Sequence, residues 1–381
     1  MGQPLELDGS YGEGGGQILR TALTAAALTG RSLEIHSIRA GRPKPGLAAQ
    51  HLTAVRAAGA LCQAVIEGDS LGSQRLRFAP QAPVRPGNYR FDVAAAREGG
   101  SAGAASLVLQ TVVLPLALAD GTSDVTVRGG THMAWSPSFD YLREVWGAML
   151  ARLGFAIGFE LHAFGWYPVG QGEIRATIAG AAPGRRRLHP VDLLEPGPLV
   201  RVTGRALAAN LPAHISQRMA DRARALLTEQ GVESHIRPER VRAACPGAGI
   251  FLTAEYANLR CGFSALGAVG KPAEAVAEEA AQAVLRHRAS GAALDLHLGD
   301  QLLLPLALTE GPSRFTVEQV TLHLETNAWV IESFELARIR IETEASGIGR
   351  VTVSPVGTAR GPALRPLTET YRGPQSGLRN G

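Results

Sequence analysis

Apolar positions recur with a period near 3.6 in some stretches of the chain and with a period of two in others, and each switch marks a new element. The first period-two run covers 5–8. A glycine cluster follows, then an amphipathic helical stretch that starts near Gln17 and stops at Gly30. Directly after that glycine comes a second period-two run, Ser32-Leu33-Glu34-Ile35. The same order then returns twice. Leu114-Pro115-Leu116-Ala117-Leu118-Ala119-Asp120-Gly121 leads into Ser123-Asp124-Val125-Thr126-Val127, and Leu304-Pro305-Leu306-Ala307-Leu308-Thr309-Glu310-Gly311 leads into Ser313-Arg314-Phe315-Thr316-Val317. The pattern predicts three copies of a helix–turn–strand unit, each helix closed by a glycine at C′, with a loop free for function after each strand. Those loops hold Arg39-Ala40-Gly41-Arg42, Gly129-Gly130-Thr131-His132 and His323-Leu324-Glu325-Thr326-Asn327. In a pseudo-threefold arrangement they would converge at one end, with His323, Thr326 and Asn327 read as loop or cap residues.

Between Gly170 and about Ala289 the repeat lapses. Arg185-Arg186-Arg187 and Pro196-Gly197-Pro198 mark a junction, and a strand near 200–203, a helix over 214–230 and a long Ala/Glu helix over 273–288 follow. This spacing predicts a large domain over 1–185 and 274–358 with a small α/β domain inserted at 186–273. The stretch 359–381, rich in Pro, Gly and Arg and without periodicity, reads as a disordered tail.

Composition narrows the class. With 381 residues, 45% of them hydrophobic and 19% charged, the chain is globular and long enough for two domains. The uncharged stretch 99–119 includes Gln110 and Pro115 and reads as a buried core helix rather than a membrane span. The acidic start has no basic n-region, so a cytoplasmic protein with no membrane partner is expected. Cys62, Cys245 and Cys261 are odd in number and form no CxxC pair, which excludes a disulfide framework and a zinc ribbon.

The residues that could carry chemistry are few. Gly12-Glu13-Gly14-Gly15-Gly16-Gln17 sits between a strand and a helix start, where backbone can approach an anion, but it is neither a Walker A loop nor a dinucleotide fingerprint. Glu13 is the informative residue there, because a carboxylate facing phosphate calls for a divalent cation between them. Arg39, Arg42 and Lys44 lie on a loop stiffened by Pro43 and Pro45, which suits phosphate as well as a solvated basic loop. Among the histidines, His214 reads as a helix cap, His287 as solvated, and His323 as a possible nucleophile for phosphorus, since a phosphoramidate is labile.

These segments occur in a telling order: Asp8-Gly9, Gly12 through Arg20, Arg39 through Leu47, Leu107 through Pro115, Gly129-Gly130-Thr131, Tyr167-Pro168, Asp300-Gln301-Leu302, and His323 with Thr326-Asn327. In this order the chain resembles the RNA 3′-terminal phosphate cyclase family, from about Leu5 to about Val353. The resemblance implies an α/β fold of α+β type, a large domain of repeated βαβαββ-type units with a smaller α/β domain inserted. It implies an ATP-dependent enzyme that turns an RNA 3′-terminal phosphate into a 2′,3′-cyclic phosphate, using a divalent metal (Mg or Mn). It places the nucleophile on His323, ATP contacts on Gln110 and on His297-Leu298-Gly299-Asp300-Gln301, the metal-linked carboxylate on Glu13, and phosphate contacts on Arg20, Arg39, Arg42 and Gln50. The expected partner is RNA with a 3′-terminal phosphate.

The chain departs from the family at His297, often tyrosine, at His132, where some relatives carry an acid, and at Gln171, which interrupts a glycine run. No chemical group needed by the reaction is lost. A lysine-adenylating ligase would need Lys-x-Asp-Gly, which neither Lys44 nor Lys271 has. A non-catalytic cyclase-like protein of RNA binding or ribosome assembly would lack His323. An enolpyruvyl transferase would share the repeats and transfer another group.

Overall fold

The computed structural model describes residues 3–180 and 187–356. Its first unit runs β1 (Leu5–Asp8), α1 (Gly16–Thr29), β2 (Leu33–His36), α2 (Ala49–Cys62), β3 (Val65–Glu67) and β4 (Leu76–Ala79), and its strands lie in the order β1-β2-β4-β3. In the second unit β5 (Asn88–Asp92) and α3 (Ala105–Ala117) lead to β6 (Thr122–Gly129). A short helix α4 (Phe139–Tyr141) then passes through a π turn (Leu142–Trp146) into α5 (Gly147–Arg152), followed by β7 (Ala156–Ala163) and β8 (Gly172–Ala179). This sheet has the order β5-β6-β8-β7.

The third unit begins at β9 (Asp192–Leu193) and is then interrupted. The interruption consists of β10 (Leu199–Ala209), α6 (Ala213–Glu229), β11 (Ser234–Val241), β12 (Gly247–Tyr256), β13 (Arg260–Leu266) and α7 (Ala273–Ser290). These strands form their own sheet, β11-β10-β12-β13, on which both helices pack. The third unit resumes with α8 (Leu298–Ala307), β14 (Ser313–Val317), α9 (Leu322–Ser333), β15 (Ala337–Thr343) and β16 (Gly349–Pro355). Its sheet order, β9-β14-β16-β15, repeats the other two. In every unit the first strand pairs parallel with the second, and the remaining pairs are antiparallel. The fold is thus the α/β architecture of three βαβαββ units expected above. Within the 186–273 span read from the spacing, β9 pairs with β14; α7, beyond that span, packs on α6 and β13.

Helices occupy the inside and sheets the outside of the repeat body. α1 packs on α2, α3 and α9, and α8 packs on α9. The alternating burial along β6 leaves one sheet face to water, the pattern that a single covered face produces. Prolines 115 and 305 sit inside α3 and α8, where each removes one helical N–H and frees the carbonyl four residues back. Both carbonyls find partners from neighbouring elements. Thr24 Oγ1 donates to Thr111 O at 2.9 Å, and Trp146 Nε1 donates to Gln301 O at 3.3 Å. The two prolines therefore bolt the repeat helices to their neighbours.

Some local expectations change. α1 ends on Gly30 in the left-handed region, but α3 and α8 end on Leu118 and Leu308 in right-handed geometry, before their glycines. His214 is exposed and caps nothing; Pro212 holds the cap position of α6. His287 is fully buried rather than solvated, with Nδ1 2.8 Å from Glu318 Oε1. Arg185, Arg186 and 359–381 lie outside the described residues. No helix among the described residues is long and apolar enough to cross a membrane.

Candidate active site

α1 starts without a side-chain cap. Gly15 occupies the cap position, so the first N–H groups of a 14-residue helix are left to whatever lies in front of them. The preceding loop turns through Gly12 and Gly14, at φ +58 and +60. A Cβ on Gly12 would stand 2.3 Å from Thr326 Oγ1, and one on Gly16 would stand 2.2 Å from His51 Nε2 and 2.9 Å from an Arg20 nitrogen. Only glycine lets this loop close against α9 and α2 together.

Cations surround the opening. Arg20 rises from α1. Arg39, itself at φ +55, anchors its loop by donating to Gly46 O at 2.7 Å. Arg42 pairs with Glu13 Oε1. Arg20 makes no ion pair or side-chain hydrogen bond among the described residues. Burial, opposed by Asp300 and reinforced by Arg39, lowers its pKa to about 10, so it stays charged at neutral pH. His51 Nδ1 accepts the N–H of Ala48 at 3.3 Å, which leaves the ring proton on the Nε2 that faces Gly16. Burial, then Arg20, Arg39 and Arg42, push this imidazole well below its ordinary range, and it is neutral. The result is an anion cradle of three guanidinium groups, one imidazole N–H and a helix N-terminus.

His323 overlooks this cradle. It is not in a loop: it is the second residue of α9, whose N-cap Thr321 accepts the N–H of Leu324 at 3.1 Å. Leu324, Ala328 and Ile331 keep the helical apolar spacing. Thr326 and Asn327, expected as loop or cap residues, are buried inside the helix. Thr326 Oγ1 receives the Glu13 N–H at 3.4 Å. Asn327 Oδ1 accepts from Thr21 at 2.8 Å, and its Nδ2 donates to Asp300 Oδ2 at 3.2 Å. Nε2 of His323 lies 2.6 Å from Glu13 Oε2, off the line of a hydrogen bond, and that buried oxygen has no hydrogen-bond partner among the described residues. Burial, then Arg20, His297 and Arg42, lowers the His323 pKa despite the carboxylate alongside.

The other expected residues separate into two sets. Gln110 of α3 donates to Gln301 of α8 at 2.7 Å, and Gln301 donates to His297 O at 2.8 Å, so two repeat helices share one amide pair. With Gln17, Arg20, Asp300 and Asn327 they line a cleft of about 80 Å³. Burial raises the Asp300 pKa to about 7, with Arg20 opposing and Asp295 adding to it. Leu298 and Gly299, by contrast, face the core: Leu298 is fully buried, and a Cβ on Gly299 would lie 2.6 Å from Val317. Gln50 spends its amide oxygen on the N–H of Ala104, at the cap of α3, 2.8 Å away.

The second repeat loop does not join the first and third. Its His132 is buried against Trp166 and Phe251 and bonds to Asp140 at 3.0 Å, and Arg205 of β10 also reaches Asp140, at 3.1 Å. That network ties the insertion to the repeat body. Asp295, not singled out by any pattern, accepts from Tyr141, Gly262, His297 and Leu298 and so fixes the entry to α8.

The family model described as RNA 3′-terminal phosphate cyclase matches residues 11–341. The chain belongs to the RNA 3′-terminal phosphate cyclase family. Relatives carrying that family name include a protein of Methylococcus capsulatus, 58% identical over 92% of this chain and 96% of its own length. One from Nostoc punctiforme is 52% identical over 88% and 96%, and one from Archaeoglobus fulgidus is 42% identical over 87% and 95%. In cyclase terms, the glycine loop, the arginine loop, α8 and α9 are the segments that meet here, and the insertion stands outside the cradle.

Proposed function

We propose that this chain uses ATP to convert an RNA 3′-terminal phosphate into a 2′,3′-cyclic phosphate, through adenylylated His323 and then an RNA adenylate. The observation that carries the reading is the position of His323, held on a capped helix beside Glu13 at the mouth of the arginine cradle. A lowered pKa keeps the imidazole neutral, as a nucleophile must be. Attack on the α-phosphorus of ATP forms an N–P bond and breaks the bond to the β-phosphate oxygen, releasing pyrophosphate. Arg20, Arg39 and Arg42 offset the charge that moves onto the leaving group. An oxygen of the RNA 3′-phosphate then takes the adenylyl group and frees His323. Finally the ribose 2′-oxygen attacks the activated phosphorus, loses its proton and expels AMP. This last step is intramolecular, so orientation supplies much of the rate.

Gln110, Asp300 and Gln301 line the cleft beside α9 and would meet ATP there, with His297 at the cap of α8 next to them. No group of three or more His, Cys, Asp or Glu among the described residues could hold a metal by itself. Oε2 of Glu13, which has no hydrogen-bond partner among the described residues, would be the protein's carboxylate for a Mg or Mn ion. Such an ion supplies charge neutralisation and orients the phosphates. With Cys62, Cys245 and Cys261 all free and buried, the protein suits the reducing cytoplasm.

The reading is tested with an RNA whose 3′-terminal phosphate carries the label. The label should become resistant to phosphatase only when ATP is supplied. Label that stays fully phosphatase-sensitive with ATP and metal present would overturn it.

A further inference from the structure

On the face of α9 away from the glutamine cleft lies a partly exposed aromatic shelf. Tyr11 stacks on Trp329 with ring centroids 4.2 Å apart and planes 21° from parallel, yet Tyr11 remains 46% exposed. Leu322, at 57% exposed, lies seven residues before Trp329 and shares its helix face. Large apolar side chains left open in a group mark a surface with a use.

Helix geometry separates the two sides of the site. At about 100° per residue, His323 projects between the Leu322–Trp329 face and the face of Asn327 and Ile331, which line the glutamine cleft. Tyr11 is two residues from Glu13, so their Cα atoms are at most about 7.6 Å apart. The loop carrying both is fixed by the Tyr11 N–H to Asp8 O and the Gly14 N–H to Tyr11 O, at 3.1 and 3.0 Å. The shelf is therefore positioned by the same turn that places the carboxylate.

We propose that Tyr11, backed by Trp329, forms the stacking site for the base of the RNA's 3′-terminal nucleotide. This rests on the function proposed above: ATP occupies the cleft side of α9, and the acceptor end needs a place on the other. A flat, half-open aromatic surface takes any base through its π face, so the site gives affinity and orientation with little sequence preference. It also holds the terminal ribose where its 2′-oxygen can reach the activated phosphorus.

The test compares equilibrium affinity for two short RNAs ending in a 3′-phosphate, one intact and one lacking its 3′-terminal base, with cyclisation followed in parallel. Loss of the terminal base should weaken binding to the full-length protein about tenfold. Tyr11→Ala should bring that ratio near one, and Tyr11→Phe should restore it. A ratio near one in the unaltered protein, or one kept in full by Tyr11→Ala, would overturn the shelf. So would a greater loss on removing the penultimate base instead. The unaltered-protein ratio needs no variant, so misfolding of Tyr11→Ala cannot obscure the result. Absence of cyclisation with the affinity ratio intact would instead count against the catalytic reading alone.

Discussion

Nε2 of His323 and Oε2 of Glu13 approach to 2.6 Å across the junction of the first and third repeat units. Each comes from a place fixed by backbone: a loop only glycine can follow, and the first turn of a capped helix. In the reaction proposed above, the pair would set the neutral nucleophile beside the carboxylate that serves the metal.

The ionisation of His323 follows from its surroundings. Burial, then Arg20, His297 and Arg42, favour the neutral ring, so its pKa lies below 6.5 in the folded protein. In a pH titration followed by NMR, His323 should gain its proton only below that value. The group disfavours folding at pH below 6.5, where the unfolded chain takes the proton more readily. A ring protonated at pH 7 would contradict this arrangement.

Glu13 should act through metal rather than proton transfer. Glu13→Ala is expected to raise the metal concentration needed for half-maximal adenylylation. It also releases Arg42, whose partner it is. An unchanged metal requirement would remove Glu13 from this role.

Arg20 is a half-buried charge at the cleft wall without a hydrogen-bonded partner among the described residues, so it should cost stability and serve binding. Arg20→Met is expected to stabilise the fold by on the order of 1 kcal/mol while lowering adenylylation roughly a hundredfold or more. Denaturant unfolding and the rate of protein labelling measure the two. A less stable variant with normal activity would reverse the assignment.

Asp300 gives a stability effect with a defined sign. Its pKa is 3.8 in the reference state and about 7 in the fold, chiefly through burial, so the folded chain holds this proton more tightly. Stability therefore falls as pH rises from 3.8 to about 7, and the penalty is complete above that. Asp300→Asn should remove the penalty, a gain on the order of 2 kcal/mol at pH 8 that shrinks toward pH 4. A difference independent of pH would show that Asp300 does not titrate in this range.

Much of this was legible in the sequence because repetition is visible there. The Leu-Pro-Leu-Ala copies exposed the units, and their prolines prove to be joints to neighbouring helices. The start of the third unit was not legible. β9 has two residues, and its partner β14 lies far along the chain, so no local period announces it. The helical state of His323 was masked by Thr326 and Asn327. These polar side chains point inward to the glycine loop and Asp300, so they break the apolar stripe by which a helix is read. His51 and Asp295 carried no signal, since an imidazole or carboxylate that bonds backbone N–H groups looks like any surface residue in sequence.

The most direct test is incubation of the protein with metal and ATP labelled at the α-phosphate, followed by peptide mapping. The account predicts label on His323, in an acid-labile, alkali-stable bond, and none in His323→Ala or His323→Asn. Full labelling of either variant, or label mapped to another residue, would contradict it.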